Sequence, residues 1–367
     1  MRVQRAFRYR VYPTPEQETV LRRTFGCVRY VWNWALEARS AAYTRRGERV
    51  GYVALSGRLT ALKAEPGHGW LGEVSSVPLQ QTLRHQQKAL TNFWDKRARY
   101  PRFKAKRRGK ASAEFTRSAF RWDGQRLWLA KCADPLPIRW SRPLPEGAQP
   151  STVTVSLDPA GRWHVSILVD DPTGRPLPPV DAEVGIDAGI TSLVTLSTGE
   201  KVTNPRHERA DRSKLATAQR ALARKQQGSA NRHKAKLRVA RVHARIADRR
   251  RDHLHKLSTR LVRENQTVVI EDLTVRNMLG NHALARAISD AAWSDLRGML
   301  TYKCAWYGRT LAVVDRWYPS SKLCSVCGVL VESMPLGTRS WTCPCGAVHD
   351  RDINAARNVL AAGLAEN

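Results

Sequence analysis

Val184-Gly185-Ile186-Asp187-Ala188-Gly189-Ile190, followed by Leu193-Val194-Thr195-Leu196 and the turn Thr198-Gly199-Glu200, decides how this chain is read. An apolar run that ends in a carboxylate, with a short turn and a second apolar run behind it, is a buried strand leading into a hairpin partner. Thr267-Val268-Val269-Ile270-Glu271 repeats the pattern, and Leu311-Ala312-Val313-Val314 supplies one more strand. Between them, 206–263 reads as a strongly basic helical pair broken near Gly228, and 290–308 as a further helix. Asp352 to Leu364 reads as the last helix, with an acid in its first turn.

Outward from this α/β half the pattern changes. Residues 1–12 alternate as a strand, Val3, Phe7, Tyr9 and Val11 being spaced among arginines. Pro13-Thr14-Pro15-Glu16-Gln17 then starts a helix, since Thr14 can cap and Pro15 suits the first helical position. Helices are also expected near 53–63 and 77–98. The segment 101–110 is too basic for a core, and 113–170 returns to short strands between Gly/Pro turns. Together with the first strand, these predict a small β-barrel split by a helical insertion. Asp171 to Pro179 is a proline-rich linker.

The whole chain has 367 residues, with 62 Lys+Arg against 32 Asp+Glu and a formal charge of +30. Such an excess, interleaved with aromatics, calls for a polyanionic partner, nucleic acid above all. No apolar run is long enough for a transmembrane helix and the first residues are basic, so neither a membrane partner nor a secretory leader is expected. A cytoplasmic location follows, with the cysteines reduced or metal-bound.

Two constellations carry chemistry. Asp187 and Glu271 stand at the ends of apolar strands and Asp352 opens the last helix. Neighbouring strand ends converge, and hard oxygen ligands from three carboxylates suit two Mg²⁺ ions for phosphodiester hydrolysis. Asp350, two residues from Asp352, is the second candidate for the third acid. Cys324-Ser325-Val326-Cys327-Gly328 and Cys343-Pro344-Cys345-Gly346, 15 residues apart, form two knuckles suited to one structural Zn²⁺, although the second pair is C-x-C where C-x-x-C is usual. Cys27, Cys132 and Cys304 sit in apolar settings and read as core residues.

Several motifs in one order resemble the TnpB proteins of bacterial insertion sequences: Gly185-Ile186-Asp187-Ala188-Gly189-Ile190, Ile270-Glu271-Asp272-Leu273, Pro319-Ser320-Ser321-Lys322-Leu323-Cys324, and His349-Asp350-Arg351-Asp352-Ile353-Asn354-Ala355-Ala356-Arg357-Asn358. The N-terminal Tyr12-Pro13-Thr14-Pro15-Glu16-Gln17 and the basic Pro101-Arg102-Phe103-Lys104 also fit. The resemblance implies an α+β multidomain chain. A split oligonucleotide-binding-type wedge barrel (1–12 and 101–172) would carry an inserted helical recognition domain (13–100). An RNase H-like RuvC domain (181–318 and 346–367) would follow, with a zinc ribbon at 319–345.

The activity implied is that of an RNA-guided endonuclease cutting double-stranded target DNA beside a short transposon-adjacent motif. Its guide would come from the element's right end, and Asp187, Glu271 and Asp352 would be its metal-binding catalytic acids. Tyr52, Ser56, Gln80 and Thr116 would read the adjacent motif, with Gln80 able to make a bidentate adenine contact. Arg102, Lys104, Lys106, Arg107, Arg108, Arg224, Lys225, Lys234, Lys236, Arg241, Arg249 and Arg250 would hold nucleic-acid backbone. The alternatives are a nuclease-inactive guided repressor, for which an acid of the trio should be lost, and a transposase acting directly in strand transfer.

Overall fold

The computed structural model describes residues 3–106, 111–172, 174–335 and 337–365. The chain divides into two compact units, Met1–Thr173 and Gly174–Asn367.

In the first unit, β1 (Val3–Val11) leads into α1 (Pro15–Arg46). Thr14 and Gln17 form a reciprocal capping box, and Gly47 in the left-handed region ends the helix. The helix runs for 32 residues. After α2 (Tyr52–Ala64) and α3 (Ser76–Trp94) come β2 (Ala111–Thr116), β3 (Phe120–Trp122), β4 (Leu127–Leu129), β5 (Ile138–Arg139), β6 (Gln149–Leu157) and β7 (Trp163–Asp171). α3 stops four residues short of the expected 98, where Asp95 and a left-handed Lys96 turn the chain.

The main sheet runs β2-β6-β7-β1-β5, all neighbours antiparallel. Among the described residues no ladder joins β2 to β5, so hydrogen bonding leaves the expected barrel open. The separate β3–β4 hairpin instead contributes Leu127 and Leu129 to the core around Tyr9, Phe115 and Ile167.

The second unit holds β8 (Glu183–Ala188), β9 (Ser192–Leu196), β10 (Lys201–Thr203), α4 (His207–Ala223), α5 (Ala230–Glu264) and β11 (Thr267–Glu271). Then follow α6 (Val275–Met278), α7 (Ala285–Ala291), α8 (Trp293–Tyr307), β12 (Thr310–Val314), β13 (Ser340–Thr342), β14 (Val348–Asp350) and α9 (Arg351–Ala365). Its sheet runs β10-β9-β8-β11-β12; the first three are antiparallel, and β11 is parallel to both β8 and β12.

Side chains alternate across the two faces. Val184, Ile186, Val268 and Ile270 meet α5 and α8 in one core, whereas Val269, Ala312 and Val314 meet Val359 of α9 on the other side. Asp187 and Glu271 therefore belong to the α9 face.

Candidate active site and metal centre

The seating of α9 fixes the acids. A Cβ at Gly185 would lie 2.2 Å from the Ala356 carbonyl oxygen and 2.7 Å from Leu360, and one at Gly363 would lie 2.2 Å from Val269. The helix backbone thus rests directly on the sheet backbone at Gly185, and at Gly363 it rests on the Val269 side chain, approaches with no room for a Cβ. Ala356 packs over Gly185; one helical step of four residues back, about 6 Å, is Asp352. Two residues on along β8, about 6.6 Å, is Asp187. The two periods match, so Asp352 faces Asp187, and Glu271 comes alongside because β11 pairs in parallel with β8, Ile270 opposite Ile186. Burial, then the Glu271 and Asp352 charges, push the Asp187 carboxyl up to about 8. Burial also raises Glu271, whose Oε1 accepts a 2.6 Å hydrogen bond from the Ser320 hydroxyl, a contact that opposes the rise.

The neighbouring acids are already occupied. Asp350 Oδ1 accepts from the Asp352 and Ile353 amides, both at 3.1 Å, capping α9, and its other oxygen takes the Lys201 ammonium at 2.6 Å. Asp272 is held between Arg297 and Arg316 and its carboxyl is lowered, first by the Arg297 hydrogen bond.

Three residues quoted in the motifs without an assigned role connect this site to the cysteine cluster. Asn354 Nδ2 donates to the Leu323 carbonyl at 2.7 Å, and its Oδ1 accepts from the Ser325 amide at 3.0 Å. Asn358 Nδ2 donates to the Ser320 and Leu323 carbonyls at 2.7 and 2.6 Å. Ser320 itself bonds Glu271. All three side chains belong to buried residues, so α9 and the strand-end carboxylate are tied to the first knuckle. Sequence offered only their place inside the motifs as a signal.

The four thiols Cys324, Cys327, Cys343 and Cys345 have sulfurs within 4.8 Å of one another. Cys324–Cys345 is 3.9 Å and Cys327–Cys343 is 3.6 Å, near the ~3.8 Å edge of a tetrahedron with about 2.3 Å Zn–S bonds. Gly328 and Gly346 have φ of 74° and 87°, as both knuckle turns require. The donor set therefore fits a closed structural zinc site, and the C-x-C spacing does not spread it. Buried His349 places Nε2 3.1 Å from Cys324 Sγ. The ribbon hairpin, β13 with β14, runs on to Asp350, so the expected limit at 345 cuts through it. Among the other cysteines, Cys27 and Cys304 are buried and Cys132 half-buried.

In the first unit, Gln80 Oε1 accepts from the hydroxyls of Tyr52 and Ser56 at 3.1 and 3.0 Å, and Arg84 donates to the Tyr52 oxygen at 3.3 Å. Both lone pairs of that carbonyl are used. In this arrangement the Gln80 carbonyl is engaged within the protein, and its amide N–H groups are the part left to meet a base. Thr116 ends β2 opposite Thr152, and among the described residues no hydrogen bond joins it to the trio.

The basic residues separate into two groups. Arg102, Lys106, Arg224, Lys225, Lys234, Lys236 and Arg241 are exposed. Arg107 and Arg108 lie outside the described residues. Of the remaining three, Lys104 and Arg250 depart from the expectation of free phosphate contacts because other groups hold them, whereas Arg249 is also exposed. Lys104 sits 3.8 Å from the centre of the Trp32 ring, Arg249 reaches buried Asp211 at 3.5 Å, and Arg250 pairs with buried Asp290 at 2.9 Å. Asp290 also accepts from the Glu208 amide, capping α4 from α7. Among the described residues no helix is long and apolar enough to cross a membrane.

Comparison with known proteins bears on the family and the fold of the chain. Residues 164–282 match the OrfB family of IS605-type elements, described as "Probable transposase", and residues 293–359 match "Cas12f1-like, TNB domain". Residues 1–48 match a "Helix-turn-helix domain", although here they form one strand and one long helix. A Streptomyces pristinaespiralis protein named "Putative RNA-guided DNA endonuclease" is 67% identical over 99% of this chain and 90% of its own length. InsQ of Escherichia coli K12, similarly named, is 33% identical over 98% of this chain and 92% of its own. A chain in the cryo-EM structure of the Cas12f1–sgRNA–target DNA complex shares the fold, with a TM-score of 0.52, 12% identity and 98% of both chains covered. Likeness at this level along nearly the full length leaves one assignment: the chain belongs to the TnpB family of insertion-sequence proteins.

Proposed function

We propose that the protein is an RNA-guided DNA endonuclease that hydrolyses target DNA beside a short transposon-adjacent motif, at a RuvC-type site built from Asp187, Glu271 and Asp352. The observation that carries this reading is the convergence of three carboxylates on one sheet face, with Asp187 driven up to about 8 by burial and by its two acidic neighbours. Such a trio is poorly neutralised by the protein and suits hard divalent cations. The sheet order β10-β9-β8-β11-β12, with only the last two strands parallel to β8, supports an RNase H-like core. The names of the S. pristinaespiralis and E. coli relatives support the activity.

Asp187, Glu271 and Asp352 would hold two Mg²⁺ ions, which when bound supply Lewis acidity for attack of water on the phosphorus and departure of the 3′-oxygen. The chain's own part is orientation. Ser320 holds Glu271, Asp350 and Lys201 fix the first turn of α9, and Gly185 and Gly363 set the helix at contact distance from the sheet. The cysteine cluster would hold one structural zinc ion and stiffen the segment that carries Ser320.

The guide, from the element's right end, and its duplex with target DNA would follow the exposed basic residues. Tyr52, Ser56, Gln80 and Thr116 would read the adjacent motif, Gln80 through its amide N–H groups. The division into wedge (1–12 and 101–172), recognition (13–100), nuclease (181–318 and 351–367) and ribbon (319–350) segments is part of this proposal, the boundary expected at 345/346 being moved to the end of the β13–β14 hairpin.

The test is to co-express the protein with the DNA beyond its gene's 3′ end and sequence the copurifying RNA. That complex, in Mg²⁺, is then challenged with plasmids carrying a guide-matched target beside randomised bases. Depletion of one short motif, lost with Asp187→Ala, is the expected result. Bound RNA without cutting would favour a guided repressor, and no specific RNA would overturn guided action altogether.

A further inference from the structure

Arg39, on α1, is 5% exposed, and none of its Nε, Nη1 and Nη2 atoms has a hydrogen-bond partner among the described residues. An unpaired guanidinium is costly to bury, and native interiors pair such groups almost without exception. Burial lowers its pKa, with Tyr100 opposing. The side chain lines a cavity of about 530 Å³ whose rim carries Tyr43, Phe93, Trp94, Tyr100 and Arg49. The rings are unusually open for their type: Tyr43 is 61%, Trp94 43% and Tyr100 42% exposed. They are also pre-oriented. Phe93 meets Tyr100 edge-on at 5.3 Å, Arg49 lies 5.2 Å from the Trp94 ring centre, and Ser40 Oγ is 2.9 Å from the Tyr100 hydroxyl. Glu48, the one acid lining the cavity, is engaged by Arg46 at 2.9 Å.

A deep cation beneath exposed π-faces matches a ligand with a planar ring at one end and an anion at the other. We propose that this cavity binds one unpaired nucleotide of the nucleic acid the protein carries, its base stacked on the rim aromatics and its phosphate on Arg39, whose nitrogens are closed to solvent and come within reach when the exposed rings shift on binding. The volume lies within the roughly 300–1,000 Å³ of small-ligand clefts. Base stacking on aromatic rings tolerates any sequence, whereas the guanidinium fork fixes the phosphate. The inference rests on the guided-nuclease reading for the presence of nucleic acid, and it adds a site on α1 and α3 distinct from Tyr52, Ser56, Gln80 and Thr116.

The test uses the full-length protein with its copurified RNA, with and without target DNA, irradiated with ultraviolet light. Adducts are then mapped by mass spectrometry, and the ribose or deoxyribose mass identifies the strand. Nucleotide adducts are expected at Tyr43, Phe93, Trp94 or Tyr100. Arg39→Met and Trp94→Ala should each lower their yield by about tenfold or more. Arg39→Lys, which keeps charge without the planar fork, should fall between. Arg39→Met should also hold or raise the melting temperature, because it removes an unpaired buried charge. Adducts confined to other segments, or a sharp fall in the melting temperature of Arg39→Met, would overturn this site alone. A preparation carrying no nucleic acid would overturn the guided-nuclease reading with it.

Discussion

Asp187 and Arg39 lie in different units and carry opposite formal charges, yet each sits where the protein supplies less counter-charge than burial demands. Their surroundings differ. Around Asp187 every neighbour is fixed: Glu271 by Ser320, α9 by the glycine contacts, and Asp350 by Lys201 and two backbone amides. Around Arg39 the floor is set on a long capped helix, and the rim consists of exposed rings oriented by a few edge, cation and hydroxyl contacts. Charges that act on a scissile bond must be held to a fraction of an ångström. A stacking platform needs only a flat face. The contrast is one between a site built for chemistry and a site built for grip.

The strongest way to break that contrast is to remove the acids one at a time. Asp187→Ala and Asp352→Asn should each lower target cleavage in Mg²⁺ by roughly three to four orders of magnitude while copurified RNA is unchanged. Asp350→Asn, which keeps an oxygen to cap α9 and loses only the Lys201 ion pair, should cost at most about tenfold. A larger loss for Asp350→Asn than for Asp352→Asn would exchange their roles.

Loosening the fixed neighbours comes next. Cys343→Ser should release zinc, read as the metal content of the purified protein. It should also lower cleavage by about 10- to 100-fold, because Asn354 and Asn358 would lose the ordered knuckle that they grip.

Ser320→Ala tests a single hydrogen bond. The Ser320 contact lowers the Glu271 carboxyl against the burial that raises it, so its loss should move the acid limb of the cleavage pH profile to higher pH. A shift of about one unit is expected from a hydrogen bond to a charged group. An unchanged limb with a reduced plateau would reduce Ser320 to a packing residue.

The smallest effect is on stability without added metal. Asp187 titrates near 8 in the folded chain against an ordinary 3.8, so between those values the folded state keeps a proton that the unfolded state has lost. Stability from this group therefore falls as pH rises through that window, and the loss is complete above about 8. Asp187→Asn should stabilise the metal-free protein by about 1–3 kcal/mol at pH 8, screening at its partly exposed surface limiting the gain. The gain should be smaller at pH 5, read by thermal melts, and Mg²⁺ should narrow the difference.

Much of the second unit is legible because its cues are local. The apolar strands ending in Asp187 and Glu271 are there, and the basic helical pair breaks beside Gly228, as α4 (His207–Ala223) and α5 (Ala230–Glu264). The paired cysteines come together within reach of one ion. In the first unit the Thr14/Gln17 capping box starts α1 where the sequence places it. The sheet closure expected of the barrel was less legible, since strand alternation says which residues face inward but not which edges meet. The fates of Lys104 and Arg250 were hidden too: each has the composition of a phosphate contact, and only its neighbours in space, Trp32 and Asp290, reveal another use.

By itself the sequence determined the elements, the acids at their ends and the knuckle turns, because strand period, helix caps and glycine at positive φ are properties of a few consecutive residues. Tertiary structure alone decided which of Asp350 and Asp352 faces Asp187, that Ser320, Asn354 and Asn358 join the knuckle to the carboxylates, and that Arg39 is buried without a partner. Those outcomes depend on distances between residues far apart in the chain, set by how closely α9 can approach its sheet at Gly185 and Gly363 and by what packs around α1.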